Sequence, residues 1–411
     1  MKKPDFDLVV FGATSFVGQI LAGYLNDQFG VARNLRWAAA GRSKQKLEAL
    51  RKSLGPGAVS LSLIEADAGD AASLEALCAR TRVVISTVGP YALYGEPMVK
   101  ACADSGTDYC DLTGEVQWIR RMIRRYEEAA RKSGARLVHC CGFDSIPSDM
   151  GVFFLQREAM RRFGQPCTRV KMRVRAMRGG FSGGTAASLV NVIKEAAADP
   201  ALRKELANPY SLCPPGYRSA ARQPNVKSPE HDPDFDAWIA PFVMGAINTR
   251  IVQRSNALLE QAYGKDFVYD EAVLVGRGTK GRLSAAGMTA ALAAFMIAGA
   301  LPPARWALER FVLPAPGEGP SPEAQRKGFF DIRFVGRTAK GQSLRAKVTG
   351  DRDPGYGSTA KMLGQAGACL AQDVAKDDKP GGFWTPSTIF GERLIERLQA
   401  DAGLTFEILG D

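Results

Sequence analysis

For its first 150 residues this chain alternates short β-rich runs with helical patterns, and that alternation restricts its fold more than any other feature. The stretches 8–11, 35–40, 60–66, 83–88, 109–112 and 136–141 read as strands. Between the first two, Val17, Ile20, Leu21, Tyr24 and Leu25 recur at helical spacing on one face. Residues 44–52 and 71–79 read as helices, Pro97 opens another that stops near Gly106, and one over 116–133 stops at Gly134. Strand–helix repetition of this kind predicts a parallel sheet with helices on both faces.

The first strand runs into Gly12-Ala13-Thr14-Ser15-Phe16-Val17-Gly18, and the first helix follows. Strand, glycine turn and helix N-terminus suit a dinucleotide pyrophosphate. Backbone N–H groups come close to the phosphates, and the positive end of the helix faces them. The spacing is Gly12-x-x-Ser15-x-x-Gly18, with a serine at the usual middle glycine. Gly12, Thr14, Ser15, Phe16 and Gly18 are therefore candidate cofactor contacts. An NAD-preferring fold carries Asp or Glu at the end of its second strand, to bind the ribose hydroxyls. Here that strand ends in Gly41-Arg42-Ser43, with Lys46 one turn on. A guanidinium pairs with a 2′-phosphate through two hydrogen bonds. Arg42 and Ser43 thus predict NADP(H), against the plain alternative of an exposed turn. Asp67 closes the third strand, where it can accept from the adenine amino group or cap the next helix. Thr87, Val88, Gly89 and Pro90 end the fourth strand, beside the expected ribose and nicotinamide. The expected fold class is α/β, with an N-terminal Rossmann domain over 1–150, a doubly wound parallel sheet.

Beyond 150 the pattern changes. Residues 169–177 alternate like a half-exposed strand, 179–184 are glycine-rich, and 185–198 are helical. Residues 208–236, rich in proline, asparagine and charge, read as a long surface loop or lid. Further strands are expected at 269–275, 329–336 and 343–349. Together they predict a second, α+β domain over 151–354 for substrate binding and dimerisation. Residues 355–411, with helices at 358–370 and 389–398, are expected to pack back towards the first domain. The arginine-bearing segments 169–178 and 250–254 read as solvated strand faces, or as cations for a substrate carboxylate. An uncharged stretch, 283–304, lies between Arg282 and Arg305. About 20 apolar residues suffice to span a bilayer. Alanine and glycine make this stretch only weakly hydrophobic, however, and Pro302-Pro303 end it. A buried helix or subunit interface ranks first, lipid contact second and a true span last.

The formal net charge is +11. It admits an acidic partner such as anionic lipid or an acidic carrier protein. The basic residues are spread out without aromatic interleaving, which argues against nucleic acid. Eight cysteines show no Cys-x-x-Cys spacing, and His139 and His231 are the only histidines, so no metal site is expected. Unpaired thiols suit a cytoplasmic protein. Lys2 and Lys3 are followed by Asp5 and Asp7, and the apolar run breaks at Gly12, unlike a signal peptide. The expected location is cytoplasmic, peripheral to the inner face of the plasma membrane if 283–304 meets lipid.

Candidate chemistry gathers at the ends of the later strands. Tyr91 and Tyr94 can donate a proton, stack on a ring or simply pack. Asp108, Asp111 and Glu115 place three carboxylates at the end of the fifth strand, although Thr113 with Glu115 also reads as a helix cap. His139, inside the sixth strand, reads as a packed core histidine. In Gly142-Phe143-Asp144-Ser145-Ile146-Pro147-Ser148-Asp149, Asp144 and Ser145 can orient cofactor or substrate, and Ser148 can cap the following helix.

Several of these segments resemble the saccharopine dehydrogenase-like oxidoreductase family. They are Gly89-Pro90-Tyr91 with Tyr94-Gly95, Gly106-Thr107-Asp108-Tyr109 with Asp111-Leu112-Thr113-Gly114-Glu115, and the 142–149 segment. Ser182-Gly183-Gly184-Thr185, Asn248-Thr249-Arg250-Ile251-Val252 with Arg254-Ser255-Asn256-Ala257-Leu258, and Ser358-Thr359-Ala360 extend the likeness through most of the chain. The resemblance implies an NADP-binding Rossmann domain, a second α+β domain and reduction of a double bond in a lipid-like or polyketide acyl chain, carrier- or synthase-linked. It also implies a link to lipid surfaces, which suits 283–304; a homodimer through the second domain is expected. The family usually reads Gly-Ala-Thr-Gly at the turn, where this chain has Ser15. The amino-acid carboxylate clamp of true saccharopine dehydrogenases has no counterpart. Tyr94 is the first candidate proton donor and Asp144 the second. The competing readings are an imine or amino-acid-type reductase and a non-catalytic NADP-binding scaffold at a lipid surface.

Overall fold

The apolar runs of the first 140 residues pair into one sheet in which every neighbour is parallel. In chain order the elements are β1 (Phe6–Phe11), α1 (Phe16–Phe29), β2 (Trp37–Gly41), α2 (Lys44–Ser53), β3 (Ser62–Glu65) and α3 (Ala71–Cys78). They continue as β4 (Thr81–Ser86), α4 (Tyr91–Tyr94), α5 (Glu96–Ser105), β5 (Asp108–Asp111), α6 (Val116–Ser133) and β6 (Arg136–Val138). Leu8, Val9 and Val10 of β1 are fully buried, as a central strand with two covered faces requires. This is a computed structural model describing residues 4–31, 33–180, 183–219, 221–314 and 317–410, with no side-chain description for 183–185. Phe181 and Ser182 of the glycine-rich segment lie outside the described residues.

The chain goes on through α7 (Ile146–Phe163), β7 (Cys167–Arg178), α8 (Gly183–Ala198), α9 (Pro200–Ala207), β8 (Glu230–Asp232), β9 (Ala237–Pro241) and α10 (Gly245–Leu258). Then come β10 (Val268–Gly276), α11 (Gly278–Ala300), α12 (Pro302–Phe311), α13 (Pro322–Lys327), β11 (Phe329–Thr338) and β12 (Ser343–Gly350). The remainder is α14 (Thr359–Gln372), β13 (Gly382–Trp384), α15 (Pro386–Phe390), α16 (Glu392–Asp401) and β14 (Leu404–Leu409).

Two units result. The first comprises Met1–Phe143, Pro316–Gly319 and Gly355–Gly403; the second comprises Asp144–Ala315, Pro320–Pro354 and Leu404–Asp411. The sheet of the first runs β13-β6-β5-β4-β1-β2-β3. It is a doubly wound order with its topological switch between β1 and β4, where ligands of such sheets bind. The sheet of the second runs β14-β12-β11-β7-β10-β9-β8 and is mixed. Only β7 and β10 pair in parallel there.

The expected boundary at 150 falls inside α7, since the first unit stops at Phe143. Residues 355–403 do belong with the Rossmann sheet. α14 lies against it through Gly367, where a Cβ would come 2.4 Å from Ile85 Cδ1 and 2.8 Å from Leu8 Cδ1. That tail is not wholly helical, however. β13 adds a seventh strand beside β6, and β14 closes the chain as an edge of the second sheet.

Two expectations for the second unit are corrected. The arginine segments are solvated strand faces only in part: Arg169, Arg175 and Arg178 of β7 are exposed, but the middle of the strand is not. Arg173, 2% exposed, binds Asp232 at 2.7 Å and Asp270 at 2.6 Å, and Lys171 binds Asp232 at 2.9 Å and Asp234 at 2.5 Å. Burial works against the Asp234 carboxylate, but hydrogen bonds and charge from Lys171 and Arg337 outweigh it and hold its pKa at about 2. Residues 250–254 lie in helix α10, where Arg250 and Arg254 are buried.

The second correction concerns 283–304, which is not a buried helix. Within α11 only Gly281, Ala285 and Gly299 are buried, while Leu283 is 73% exposed and Ile297 61%. The contact with α8 is narrow. Gly299 sits where a Cβ would lie 3.1 Å from Ile193. Pro302 and Pro303 do not merely end the stretch, for they form the first turn of α12. Among the described residues α11 is the one helix long and apolar enough to cross a membrane.

Candidate cofactor site and substrate cavity

The turn after β1 is built by two glycines for different reasons. Gly12 has φ of +85°, and a Cβ there would lie 2.7 Å from Val88 Cγ2 and 2.9 Å from Thr87 Oγ1. Gly18 lets α1 start against the turn, since its Cβ would lie 2.2 Å from the Gly12 oxygen. At the switch point Thr87 donates its N–H to Phe11 O at 2.9 Å and its hydroxyl to Gly12 O at 2.9 Å. Ser15 is the N-cap of α1. Its Oγ accepts from Gly18 N–H at 3.0 Å and pairs with Thr87 Oγ1 at 3.0 Å. The serine that replaces the middle glycine thus ties the helix start to the end of β4. Phe16 packs edge-on to Tyr356 at 5.2 Å and against Gly319, so what it can offer a phosphate is its backbone N–H.

Thr14 brings the turn beside the end of β2, with its Oγ1 3.7 Å from where a Gly41 Cβ would stand. Arg42 follows on the surface and is in no ion pair among the described residues; Lys46 is also exposed. Ser43 caps α2 by accepting from Lys46 N–H at 3.3 Å. No carboxylate occupies the end of β2. Two cations beside a glycine cradle fit the 2′-phosphate and pyrophosphate of NADP(H). Asp67 is exposed and accepts from Gly69 N–H at 2.9 Å, while Asp70 caps α3 in its place. Val88 is half-buried, Gly89 is exposed, and the Gly89–Pro90 bond is cis.

The carboxylates of 108–115 do not gather at one place. Asp108, at the start of β5, binds Arg136 and Lys376, each at 2.6 Å. Asp111 holds His139 Nδ1 at 2.6 Å and takes the N–H groups of Thr113 and Cys140, both at 3.1 Å. His139 follows β6 and is buried among Tyr109, Trp118 and Phe383, a packed core histidine. Glu115 accepts the N–H groups of Tyr91 and Ala92 at 2.8 and 2.9 Å and so caps α4. Tyr91 is locked by its hydroxyl donating to Ser86 O at 2.8 Å. Tyr94, on the same short helix, is 51% exposed.

In the second unit Asp144 is half-buried, and burial pushes its carboxyl up to about 7. Ser145, at φ of +114°, donates to Asn248 Oδ1 at 3.0 Å. Asn248 Nδ2 in turn donates to Glu271 at 2.9 Å, and Tyr269 OH donates to the other Glu271 oxygen at 2.6 Å. Ser148 does not cap α7; it lies in its first turn and adds a hydrogen bond to Glu271. Burial outweighs these bonds and pushes the Glu271 carboxyl up to about 7. Asp149 accepts from Ser255 at 2.6 Å. Three segments, 145–149, 248–255 and 269–271, thereby form one polar cluster. Glu271 and Asn248 were absent from the sequence-derived candidates. The available signal was an acid pair, Asp270-Glu271, inside an otherwise apolar strand.

Glu271 also lines a cavity of about 430 Å³. Leu206, Val226, Phe242, Leu292 and Met296 supply apolar wall, and Arg250 and Gln253 join Glu271 as polar lining. Apolar walls with a few convergent polar groups are the usual form of a small-molecule site. Among the described residues no cluster of histidine, cysteine or acid could hold a metal.

Comparison with known proteins gives four results. Residues 8–138 match the family described as the saccharopine dehydrogenase NADP binding domain. A Mycobacterium tuberculosis protein provisionally named a trans-acting enoyl reductase is 41% identical over 98% of this chain and 97% of its own. A trans-acting enoyl reductase of the same species is 39% identical over 96% of each chain. Among solved structures, apo saccharopine dehydrogenase (L-Glu forming) from Saccharomyces cerevisiae has a TM-score of 0.54 at 13% identity, covering 98% of this chain and 99% of that one. That last likeness concerns the fold alone.

Proposed function

This chain belongs to the saccharopine dehydrogenase-like family, with mycobacterial trans-acting enoyl reductases among its relatives, and we propose that it is an NADPH-dependent enoyl reductase. Its substrate class is an α,β-unsaturated, lipid-like acyl thioester or ester. The observation that carries this reading is the glycine cradle at Gly12–Gly18 with a cation, Arg42, where NAD-preferring folds place a carboxylate. Bound NADPH supplies the hydride, which goes to the β-carbon of the acyl chain. Gly12 and Gly18 admit the pyrophosphate, and Arg42 with Lys46 takes the 2′-phosphate. The α-carbon then needs a proton. Asp144, with a pKa near 7, is matched to that task at neutral pH, and the exposed Tyr94 phenol is the alternative.

Arg42 gives the direct test. A charge-assisted hydrogen bond contributes about 1.5–3 kcal/mol, so Arg42→Ala is expected to weaken NADPH roughly 10- to 150-fold. NADH affinity should change little, and titration of both nucleotides by fluorescence measures the ratio. Equal effects on the two would remove Arg42 from the phosphate site. Steady NADPH oxidation with an enoyl thioester separates the reductase from the scaffold reading; oxidation only with an imine or oxo acid would favour the amino-acid-type reductase.

α11 and α12 suit an anionic lipid surface. Leu283, Ile297, Trp306 and Phe311 are exposed at 73%, 61%, 62% and 74%. Lys280, Arg282, Arg305 and Arg310 flank this apolar face, and Glu309 is the acid among them. Exposed apolar residues with a tryptophan and basic flanks are the make-up of an interfacial helix. The full chain is expected to float with vesicles containing phosphatidylglycerol and not with phosphatidylcholine alone, and Leu283→Glu with Trp306→Glu should abolish flotation. If the wild type ignores both vesicles and the double variant turns a dimer into monomers, the face is a subunit interface.

A further inference from the structure

The residues lining the cavity of the second unit carry three buried polar atoms with no partner among the described residues: Arg250 Nε and Gln253 Oε1 on α10, and Asp270 Oδ1 on β10, whose other oxygen is held by Arg173. The two side chains on α10 are both buried, Arg250 8% exposed and Gln253 1%. The rest of each group is occupied. The two terminal nitrogens of Arg250 donate to the carbonyls of Ala246 and Leu206, and Gln253 Nε2 donates to Gln223 Oε1 at 3.0 Å. On α10 itself one N–H donor and one acceptor are left, three residues apart and so on one face of the helix. Unpaired polar atoms in an apolar setting disfavour the empty fold and reward a guest that pairs them.

The pairing sets the chemistry of that guest. A carboxylate would satisfy Arg250, and the exposed Lys227 also lines the cavity, but beside Arg250 it would meet the lone pairs of Gln253 Oε1 and the acids Asp270 and Glu271 of the same lining. An ester offers acceptors alone and leaves Gln253 Oε1 unpaired. A secondary amide offers both, a carbonyl for Arg250 Nε–H and an N–H for Gln253 Oε1. Beside it Leu206, Val226, Phe242, Leu292 and Met296 accept alkyl surface. The volume falls in the range of roughly 300–1,000 Å³ usual for small-ligand sites.

We propose that this cavity binds a slender apolar chain carrying one secondary amide, held through its carbonyl by Arg250 and through its N–H by Gln253. Resting on the reductase reading, this makes the amide a recognition handle on the acyl substrate, apart from the double bond being reduced.

Titration calorimetry of the full chain without nucleotide, with N-decylacetamide and its ester counterpart decyl acetate, tests the site. The amide is expected to bind about tenfold more tightly. Gln253→Leu should erase that preference by weakening the amide alone. Met296→Trp, on the partly open α11 wall, should abolish binding of both and leave NADPH affinity unchanged. Equal affinity for amide and ester in the wild type overturns the proposal, as does amide binding that survives both Gln253→Leu and Met296→Trp. Should Gln253→Leu fail to fold, the wild-type preference and Met296→Trp still decide. NADPH oxidation with decenoyl thioesters is measured on the same preparations. Amide binding without turnover of any enoyl compound sinks the reductase reading and leaves the cavity assignment standing; turnover without amide preference does the reverse.

Discussion

Gly18→Val is expected to weaken NADPH binding about a hundredfold. The added Cβ would stand 2.2 Å from the Gly12 oxygen and 2.9 Å from the Ala13 carbonyl carbon. Both are backbone atoms, so no rotamer change can make room. The start of α1 must move off the turn, at a packing cost of about 1–3 kcal/mol. Its first N–H groups and its positive end then leave the phosphate position. Gly23→Val in the same helix is the control, because nothing lies within 4 Å of a Cβ at that position. It should bind NADPH as the wild type does, since its β-branched side chain affects helix propensity alone. Fluorescence titration of the two variants makes the comparison, and similar losses in both would mean that the close approach at Gly18 is not what holds the phosphates.

Arg136→Ala is expected to cost about 3–5 kcal/mol of stability, because it breaks a fully buried ion pair and leaves the Asp108 carboxylate with the half-exposed Lys376 alone. Arg136 is fully buried. It clamps Asp108 through Nε at 3.1 Å and Nη2 at 2.6 Å, and donates to the carbonyls of Val374 and Ala375 at 3.1 and 2.8 Å. One guanidinium thus joins β5, β6 and the loop after α14. Lys376, also at 2.6 Å from Asp108, would be the one cation left to that carboxylate. Arg125→Ala, which breaks a surface pair with Glu96, should leave the urea midpoint unchanged. A midpoint for Arg136→Ala as high as that of Arg125→Ala would show that the buried pair does not support the sheet.

The Rossmann unit was legible because its signals are local. The apolar face of Val116–Ser133 and the stop at Gly134 give α6 its observed bounds. The turn at 12–18 and the cation at 42 sit side by side in sequence order, strand by strand. β13 was invisible, since three residues between Gly381 and Thr385 carry no periodicity, and their partner is β6, some 245 residues earlier. In 404–409 the alternation is present, with Leu404 and Phe406 buried and Thr405 and Glu407 exposed, but its partner β12 lies more than fifty residues earlier and nothing local marks the pairing. A helix apolar all round, such as α11, does not say which side it buries, and this one buries little. The carboxylates of 108–115 were close in sequence yet point to separate partners. Ser145, Asn248 and Glu271 were far apart in sequence and meet only through packing. Charge and spacing can propose a site residue, but pairing across elements decides what it does.

The central claim is that hydride passes from NADPH to the β-carbon of an unsaturated acyl chain. The most direct measurement uses NADPH deuterated at the transferred position of nicotinamide C4, a trans-2-decenoyl thioester and the wild-type chain, with mass spectrometry of the product. A saturated thioester carrying one deuterium at the β-carbon and one solvent-derived hydrogen at the α-carbon is the predicted result. Unlabelled or unreduced thioester, alongside deuterium transfer to the carbon of an imine supplied in its place, would contradict it.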